Sequence, residues 1–472
     1  MRTLSGLWID RSARPTLQDQ LAQQIRERIR SGELAPGDPL PSTRDLASEL
    51  KLSRNTAVYA YERLISEGYL ESASRTGIYV SRSITLPRDP KRLPKSVARP
   101  KAADTEARLS TPRPFRPCQP DVGLFPLLTW NRMRGRALRR EGRSLLHYQA
   151  SCVAGFADLR ENVATYLRDH RGVRCDSHQV VITSGSQQAL FLLAMLLLKA
   201  RDQVYVEDPG YVEARQACIN AGSRVVAGRV DEQGLRVPEE KVTLIYTTPS
   251  RQFPTGVSMS LQRRLALLDY AVRNRAWIIE DDYDSELRYG APPLPSLQSL
   301  DVSGRLIYTG TFSKLLFPSL RLGYVVMPDA LLEDFIKLKH LSDDHLPLID
   351  QATLALFLES GAFYSHIRRC RREYATRQAL FLKLFRSSKL PLTFEQVDGG
   401  MNLVGYLPEG SDDAAWSAAL RDAGFDVPAL SHYAIEPARP ALIFGFTAFT
   451  AAALRTEFDR MRPVLEGMVR AR

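Results

Sequence analysis

The most constraining feature of the sequence is a short apolar run that ends in a cluster of reactive side chains. The run 306–308 leads into a loop that contains Thr311, Ser313 and Lys314, and Arg321 follows seven residues after the lysine. Strands of this kind deliver loop residues to a site. A lysine amine can form a Schiff base with an aldehyde, and hydroxyls and a guanidinium can bind a phosphate. The segment therefore predicts a site for an aldehyde cofactor that carries a phosphate.

A second apolar run, 277–279, ends in acids and a phenol: Glu280, Asp281, Asp282 and Tyr283. Pyridoxal phosphate (PLP) requires a carboxylate that keeps its ring nitrogen protonated, so that the ring can accept electrons. A phenol beside the ring oxygen is also favourable. Asp281 and Tyr283 are our candidates for these two roles.

The segment 184–187 lies between a predicted strand at 180–183 and a predicted helix at 188–198. Its small residues, including Gly185 and Ser186, would let backbone N–H groups approach a phosphate at the N-terminus of a helix. This turn precedes Asp281 and Lys314 in the chain, and together the three segments predict one cofactor site.

The N-terminal 80 residues show the pattern of a winged helix-turn-helix. Apolar residues recur every four positions over 16–31, and two further helices are predicted to begin after the N-caps Ser42 and Ser53. Two short strands, 69–71 and 77–80, complete the pattern. In such folds the first turn of the second motif helix enters the major groove of DNA. Candidates for contact with bases or phosphates are Arg44, Ser53, Arg54, Asn55, Thr56 and Arg75.

Five segments carry a resemblance to a known family: "LPSTRDLASELKLSRNTAVYAYERLISEGYLES" in the first 80 residues, "TSGSQQAL" at 183–190, "PSRQFPTG" at 249–256, "EDDYDSELRY" at 280–289 and "TGTFSKLLFPSLRLGY" at 309–324. The chain resembles the MocR/GabR transcriptional regulators, in which a GntR-type winged helix precedes a PLP-dependent aminotransferase fold. The resemblance covers nearly the whole chain.

The resemblance implies roles for individual residues. Lys314 would be the catalytic Schiff-base residue, Tyr211 would stack on the pyridine ring, and the phosphate would be bound by Gly185, Ser186, Gln187, Thr311, Ser313 and Arg321. On DNA, the family pattern implies contacts from Arg44, Arg54, Thr56, Arg75 and Gly77. No metal is implied.

The chain divides into three parts by composition. Residues 1–81 form the predicted DNA-binding domain, and residues 82–114 form a linker with six prolines and nine basic residues. Such a linker is expected to be an extended, mobile tether. In residues 115–472 strands and helices alternate, which predicts an α/β domain with a mainly parallel central sheet and its site at the carboxyl ends of the strands. The resemblance adds a small C-terminal subdomain.

Charge and cysteine content set the expected environment. The net charge is +11, and its largest local excess lies in residues 81–114, where nine Lys/Arg face three Asp/Glu. The five cysteines have no CxxC spacing and are expected to be reduced thiols. With no signal-peptide pattern or membrane-spanning apolar run, a cytoplasmic location without membrane contact is expected.

Three positions depart from the aminotransferase pattern. Phe253 replaces the asparagine that binds the ring oxygen, with Gln252 as a candidate substitute. Ile443 replaces the arginine that binds a substrate carboxylate, with Arg439 as a candidate substitute. Tyr148, which in aminotransferases reaches the phosphate of the partner subunit, is displaced by a two-residue insertion.

These departures weaken transamination more than PLP binding. The first hypothesis is a homodimeric regulator of a double-stranded DNA operator that senses an amino compound through an internal aldimine on Lys314. A second is an active aminotransferase with a DNA-binding head, although residual activity at most is expected. In a third, PLP itself is the effector, as in regulation of vitamin B6 metabolism.

Overall fold

The structure is a computed structural model that describes residues 7–11, 15–73, 77–84, 113–290, 295–395 and 397–470. The chain forms two compact units, Met1–Leu109 and Ser110–Arg472. Most of the predicted linker, residues 85–112, and the predicted DNA contact Arg75 lie outside the described residues.

The described part of the N-terminal unit contains three helices and a three-stranded antiparallel sheet of order β1-β3-β2. Its elements are α1 (Leu17–Arg30), β1 (Pro39–Leu40), α2 (Thr43–Glu49), α3 (Arg54–Ser66), β2 (Leu70–Ala73) and β3 (Gly77–Val80). Helices α2 and α3 form the helix-turn-helix, and β2 and β3 form the wing. The predicted winged helix-turn-helix is confirmed.

Local signals in the sequence explain where these helices begin. The hydroxyl of Ser42 accepts a hydrogen bond from the Asp45 N–H, and that of Ser53 accepts one from the Thr56 N–H. Each bond satisfies an N–H group that has no partner within its helix. The apolar face of α1 is fully buried at its centre, so the predicted stripe forms the core of the unit.

The second unit is built around an eight-stranded sheet of order β4-β11-β10-β9-β8-β5-β6-β7. These strands are β4 (Val180–Thr183), β5 (Gln203–Asp208), β6 (Arg224–Asp231), β7 (Gly234–Leu235), β8 (Leu244–Thr247), β9 (Trp277–Asp282), β10 (Leu306–Thr311) and β11 (Gly323–Val326). The strands from β10 to β6 run parallel, whereas β11 is antiparallel to both of its neighbours. The prediction of a mainly parallel sheet is confirmed.

Helices accompany the sheet along the chain: α4 (Leu127–Glu141), α5 (Ala157–Arg171), α6 (Gly185–Leu197), α7 (Val212–Asn220), α8 (Leu261–Asn274), α9 (Asp329–Asp343) and α10 (Leu348–Glu359). Two large apolar clusters of this unit draw on the strands and on several of these helices. Burial of this apolar surface is the main force that holds such a layered domain together.

The C-terminal part of this unit contains a second, antiparallel sheet of order β12-β13-β14. It comprises α11 (Ala362–Ser388), β12 (Thr393–Phe394), β13 (Asn402–Tyr406), α12 (Asp413–Asp422), β14 (Ala441–Gly445) and α13 (Ala451–Arg470). This part is the expected C-terminal subdomain.

Candidate functional site

The carboxyl ends of β9 and β10 open into a cavity of about 770 Å³ within the second unit. The register of the sheet explains why two distant motifs meet here, because Thr309 on β10 pairs with Asp281 on β9. The sequence-predicted cofactor residues that line the cavity are Ser186, Gln187, Tyr211, Asp281, Tyr283, Thr311, Ser313, Lys314 and Arg321. Gly185 precedes two of them at the start of α6.

Lys314 lies in the loop after β10 and is partly buried in the cavity. Its Nζ donates a hydrogen bond of 3.2 Å to the Cys118 carbonyl oxygen. Among the described residues, no carboxylate oxygen lies within 4 Å of this nitrogen. An amine that is not held in an ion pair can react with an aldehyde once it has lost its proton.

Asp281 presents a buried carboxylate at the end of β9. It accepts hydrogen bonds from the hydroxyls of Tyr246 at 2.8 Å and Thr309 at 3.2 Å. Burial raises the pKa of Asp281 from 3.8 to about 6. In the described part of the chain no basic side chain forms an ion pair with it. A cationic group bound in the cavity, such as a protonated pyridine nitrogen, would supply the missing charge.

Two hydroxyls of residues that line the cavity lack hydrogen-bond partners in the described part of the chain. The Tyr283 hydroxyl and the Ser313 hydroxyl are buried and have no hydrogen-bond partner among the described residues. A buried polar group without a partner costs about 1–3 kcal/mol. A ligand with oxygen atoms at both positions would remove that cost, and PLP carries a ring oxygen and a phosphate. The residues present therefore fit this cofactor.

The first turn of α6 and Arg321 form one positively polarised end of the cavity. Arg321 donates from Nη2 to the Ser184 carbonyl oxygen at 3.1 Å and approaches Gln187 Oε1 at 3.5 Å. Gly185 has a φ of +74°, and a Cβ at this position would lie only 3.2 Å from the same nitrogen. The free N–H groups of a helix N-terminus beside a guanidinium favour binding of a phosphate.

The aromatic wall of the cavity contains Tyr211, Phe253 and Tyr433. The rings of Tyr211 and Phe253 pack edge to face, with centroids 6.0 Å apart. Gln252 does not take over the role of the missing asparagine. Its amide donates to the Pro209 carbonyl oxygen at 2.8 Å and to the Glu207 carboxylate at 3.2 Å, and its side chain is not part of the cavity lining.

The carboxylate anchor of aminotransferases has no replacement at the positions considered from sequence. Ile443 is fully buried in an apolar cluster on β14. The Arg439 guanidinium stacks on the Tyr406 ring, 4.2 Å from its centroid, and donates to the Thr393 hydroxyl. It does not line the cavity, so the hypothesis that Arg439 reaches into the site is wrong.

Several cavity residues were not predicted from the sequence. Arg116 and Cys118 come from the segment before α4, Arg421 comes from α12, and His432 and Tyr433 follow it. None of these residues belongs to a motif with a recognisable spacing. The pairing of the motifs with these distant segments is visible only in the fold. Tyr148, in contrast, is 91% exposed and lies beside the ring of His345.

The predicted DNA-binding residues that the structure describes lie on the surface of the N-terminal unit. Arg44, Arg54, Asn55 and Gly77 are exposed, and Thr56 is partly exposed. No carboxylate among the described residues forms an ion pair with Arg44 or Arg54, so both guanidinium groups are available for phosphates or bases. The hydroxyl of Ser53 caps α3 and therefore positions its neighbours.

A helix-turn-helix head followed by an aminotransferase-like domain defines a class of transcriptional regulators. The family model described as "Bacterial regulatory proteins, gntR family" matches residues 17–80, and "Aminotransferase class I and II" matches residues 126–440. Together with the relatives described next, these matches show that the chain belongs to the MocR-type family of HTH transcriptional regulators.

Three curated relatives are similar over most of their length. The probable rhizopine catabolism regulatory protein MocR of Rhizobium meliloti is 37% identical, over 97% of this chain and 95% of the relative. TauR of Rhodobacter capsulatus is 33% identical, over 87% and 88%. The pyridoxine biosynthesis regulator PdxR of Corynebacterium glutamicum is 33% identical, over 92% and 93%.

Solved aminotransferases share the fold of the second unit. Kynurenine aminotransferase of Pyrococcus horikoshii, solved with PMP, aligns with a TM-score of 0.70 at 26% identity, over 76% of this chain and 91% of that one. The α-aminoadipate aminotransferase LysN of Thermus thermophilus, complexed with N-(5'-phosphopyridoxyl)-L-leucine, gives 0.69 at 27% identity, over 76% and 93%. None of the described helices has the length and apolar character needed to cross a membrane.

Proposed function

We propose that this regulator binds PLP in the cavity around Lys314. A small amino compound in the same cavity would control the affinity of the regulator for a double-stranded DNA operator. The observation that carries the proposal is a set of three buried polar groups near Lys314 that lack an ion-pair or hydrogen-bond partner among the described residues. Among the described residues, Asp281 is a buried carboxylate without an ion pair, and the hydroxyls of Tyr283 and Ser313 are buried without hydrogen-bond partners. A phosphorylated pyridine aldehyde would satisfy all three.

Each residue would contribute a distinct interaction. Asp281 would hold a proton on the ring nitrogen, Tyr283 would bind the ring oxygen, and Tyr211 would pack against the ring. The phosphate would be bound by the first turn of α6 together with Thr311, Ser313 and Arg321. When bound, PLP supplies an aldehyde that reacts reversibly with primary amines, and Lys314 is the amine that would hold it in place.

The N-terminal unit would contact DNA through the first turn of α3. Arg54, Asn55 and Thr56 would contact bases or phosphates, and Arg44 and Gly77 would contact the backbone. Arg75 belongs to the same proposed set from the sequence. An amine can change DNA binding only if it binds one state of the regulator more tightly than the other.

The first experiment compares the visible absorption spectrum of the PLP-treated full chain with that of Lys314→Ala. We expect a Schiff-base band in the wild type that the variant lacks, because Lys314 is the one lysine among the described residues that line the cavity. Lys337→Ala, which removes an exposed lysine on α9, is the matched control and should keep the band. A wild type that takes up no PLP contradicts the proposal.

The same samples test the link to DNA. The probe is a duplex selected by the protein from a random library, and its affinity is measured with and without added amines. An amine that changes the wild-type affinity and leaves Lys314→Ala unaffected supports sensing through this lysine. Sustained release of keto acids at enzyme-like rates would instead support an active aminotransferase, which the loss of the anchor at Ile443 argues against.

PLP itself is the second candidate effector. One relative is described as a pyridoxine biosynthesis regulator, and Ile443 leaves no conventional anchor for an amino-acid carboxylate. For this alternative, PLP-free and PLP-loaded protein would differ in DNA affinity with no amine added. If no added amine changed the DNA affinity of the PLP-loaded protein, PLP would be favoured over an amino compound as the effector.

A further inference from the structure

The cavity has a second basic region away from its phosphate-binding end. Helix α12 contributes Ala414, Ser417 and Arg421 to the lining. These positions follow one another by three and four residues, so they lie on one face of the helix. Residues of the opposite face, including Trp416 and Leu420, pack into the core. The fold therefore fixes α12 with Arg421 at the edge of the cavity.

Arg421 is the cationic side chain of this region whose guanidinium forms no ion pair with a described residue. Arg116 also lines the cavity, but its Nε lies 3.6 Å from a carboxylate oxygen of Asp426. No ion pair joins Arg421 to a carboxylate among the described residues, and its side chain is exposed to the cavity mouth. Its backbone carbonyl accepts from Arg113 at 3.3 Å and from the Gly424 N–H at 3.0 Å, whereas its guanidinium donates no hydrogen bond to a described residue.

The neighbouring hydroxyls are already engaged. Ser417 donates to the Val427 carbonyl oxygen at 2.8 Å, and Ser431 donates to the Asp413 carboxylate at 2.6 Å. They therefore compete poorly for a ligand. The guanidinium of Arg421 presents up to five N–H donors in a plane, which suits a carboxylate or sulfonate.

We infer that Arg421 binds the acidic group of the effector, and that the effector is an amine that carries a carboxylate or a sulfonate. This inference rests on the proposed function, because the amine end must reach the PLP held at Lys314. The need for such an anchor follows from two observations. The position of the usual arginine is the buried Ile443, and Arg439 is stacked on Tyr406 outside the cavity.

The test uses the PLP-loaded full chain and three ligands that share one skeleton. β-Alanine and 2-aminoethanesulfonate are ethylamine with an acidic group, and ethylamine itself lacks that group. Binding is measured by isothermal titration calorimetry and by the change in the visible band. We expect Arg421→Gln to weaken binding of at least one of the two acids roughly 10- to 100-fold, since it removes charged hydrogen bonds. Binding of ethylamine should stay within about twofold, because it makes no such bond.

Two further variants make the outcome specific. Arg421→Lys keeps the charge and should recover part of the lost affinity. Arg455→Gln removes an exposed arginine of α13 that does not line the cavity and should change nothing. All variants should show the wild-type PLP band, because Arg421 is not among the proposed cofactor contacts.

Three results would overturn the inference. A wild type that binds neither acid more tightly than ethylamine shows that no acid anchor exists. Equal loss for acids and ethylamine in Arg421→Gln shows a general effect on the cavity, and no loss shows that the arginine is not the anchor. A wild type without the PLP band is a different failure, because it removes the proposed function before the anchor is examined.

Discussion

At the scale of single residues, the carboxyl of Asp281 connects the stability of the protein to cofactor binding. Burial raises its pKa to about 6, whereas the unfolded chain has a value near 3.8. Between these values the folded state holds a proton that the unfolded state has released. The free energy of unfolding of the PLP-free protein therefore falls as pH rises through this window. Above the folded-state pKa of about 6, the folded protein bears the full free-energy cost of burying the ionised carboxylate.

Replacing Asp281 with Asn should remove this cost. We expect PLP-free Asp281→Asn to be more stable than the PLP-free wild type at pH 7.5, by on the order of 1–3 kcal/mol. The difference should vanish below about pH 3, well under the unfolded pKa of 3.8, where the carboxyl is protonated in both states. Tyr246 can still donate its hydroxyl to the amide oxygen, so the packing is retained. Urea denaturation of both proteins across this pH range measures the effect.

The same substitution should weaken PLP binding, because the amide cannot stabilise a protonated ring nitrogen. Asp459→Asn, an exposed aspartate on α13, is the control and should alter neither property. A variant that is less stable at neutral pH and binds PLP normally would contradict this assignment of Asp281.

The cavity shows which residues a sequence can reveal. Asp281 and Lys314 were predictable because each follows an apolar strand at a fixed short distance, and the parallel sheet then places both at one edge. Arg421 carries no such signal. It lies on an ordinary amphipathic helix more than 100 residues from Lys314, and only the packing of the C-terminal part against the sheet turns it towards the cavity.

At the scale of elements, helix boundaries were predictable where a side chain caps the first turn. Ser42 and Ser53 begin α2 and α3 as the sequence indicates. Helix α6 begins at Gly185, three residues before the predicted start, and Ser184 makes no capping hydrogen bond that could have marked it. The sequence also did not predict β6. Most of its residues are partly or fully exposed, so its sequence lacks the apolar period that marks a strand.

The cap of α3 supports a prediction about the DNA-reading element. Ser53→Ala removes the acceptor of the Thr56 N–H and should lower the free energy of local opening of α3 by about 1 kcal/mol. Hydrogen exchange of the α3 amides in the full chain should then be about fivefold faster. Ser48→Ala, an exposed serine inside α2, should leave this exchange unchanged.

The cap variant also separates stability from recognition. Arg54→Ala should abolish most specific DNA binding while α3 exchanges at the wild-type rate, because the exposed guanidinium makes no ion pair with a described residue. Unchanged exchange in Ser53→Ala would show that the helix does not depend on this cap.

At the scale of the whole molecule, the second unit exposes apolar side chains that a monomer would not retain without cost. Leu341 on α9 is 83% exposed and Tyr148 is 91% exposed. His345, which follows α9, packs its ring against Tyr148 and accepts from the Gln149 N–H at 3.3 Å, so the segment after α9 lies beside Tyr148. Exposed apolar surface of this kind marks an interaction site. We propose that a second copy of the chain covers it.

A charge in this surface should separate the copies. We expect Leu341→Glu to shift the full chain from dimer to monomer in light scattering coupled to size exclusion, because a buried carboxylate without a partner opposes association. Val302→Glu places the same charge at an 89% exposed apolar residue in a loop elsewhere and should remain dimeric.

The monomer should keep the visible PLP band if the phosphate is held by its own residues alone, and lose it if the partner's surface completes the site. Because two heads read two half-sites, the monomer should also lose most of its affinity for a two-half-site duplex and keep that for a single half-site. A Leu341→Glu chain that stays dimeric would place the interface elsewhere.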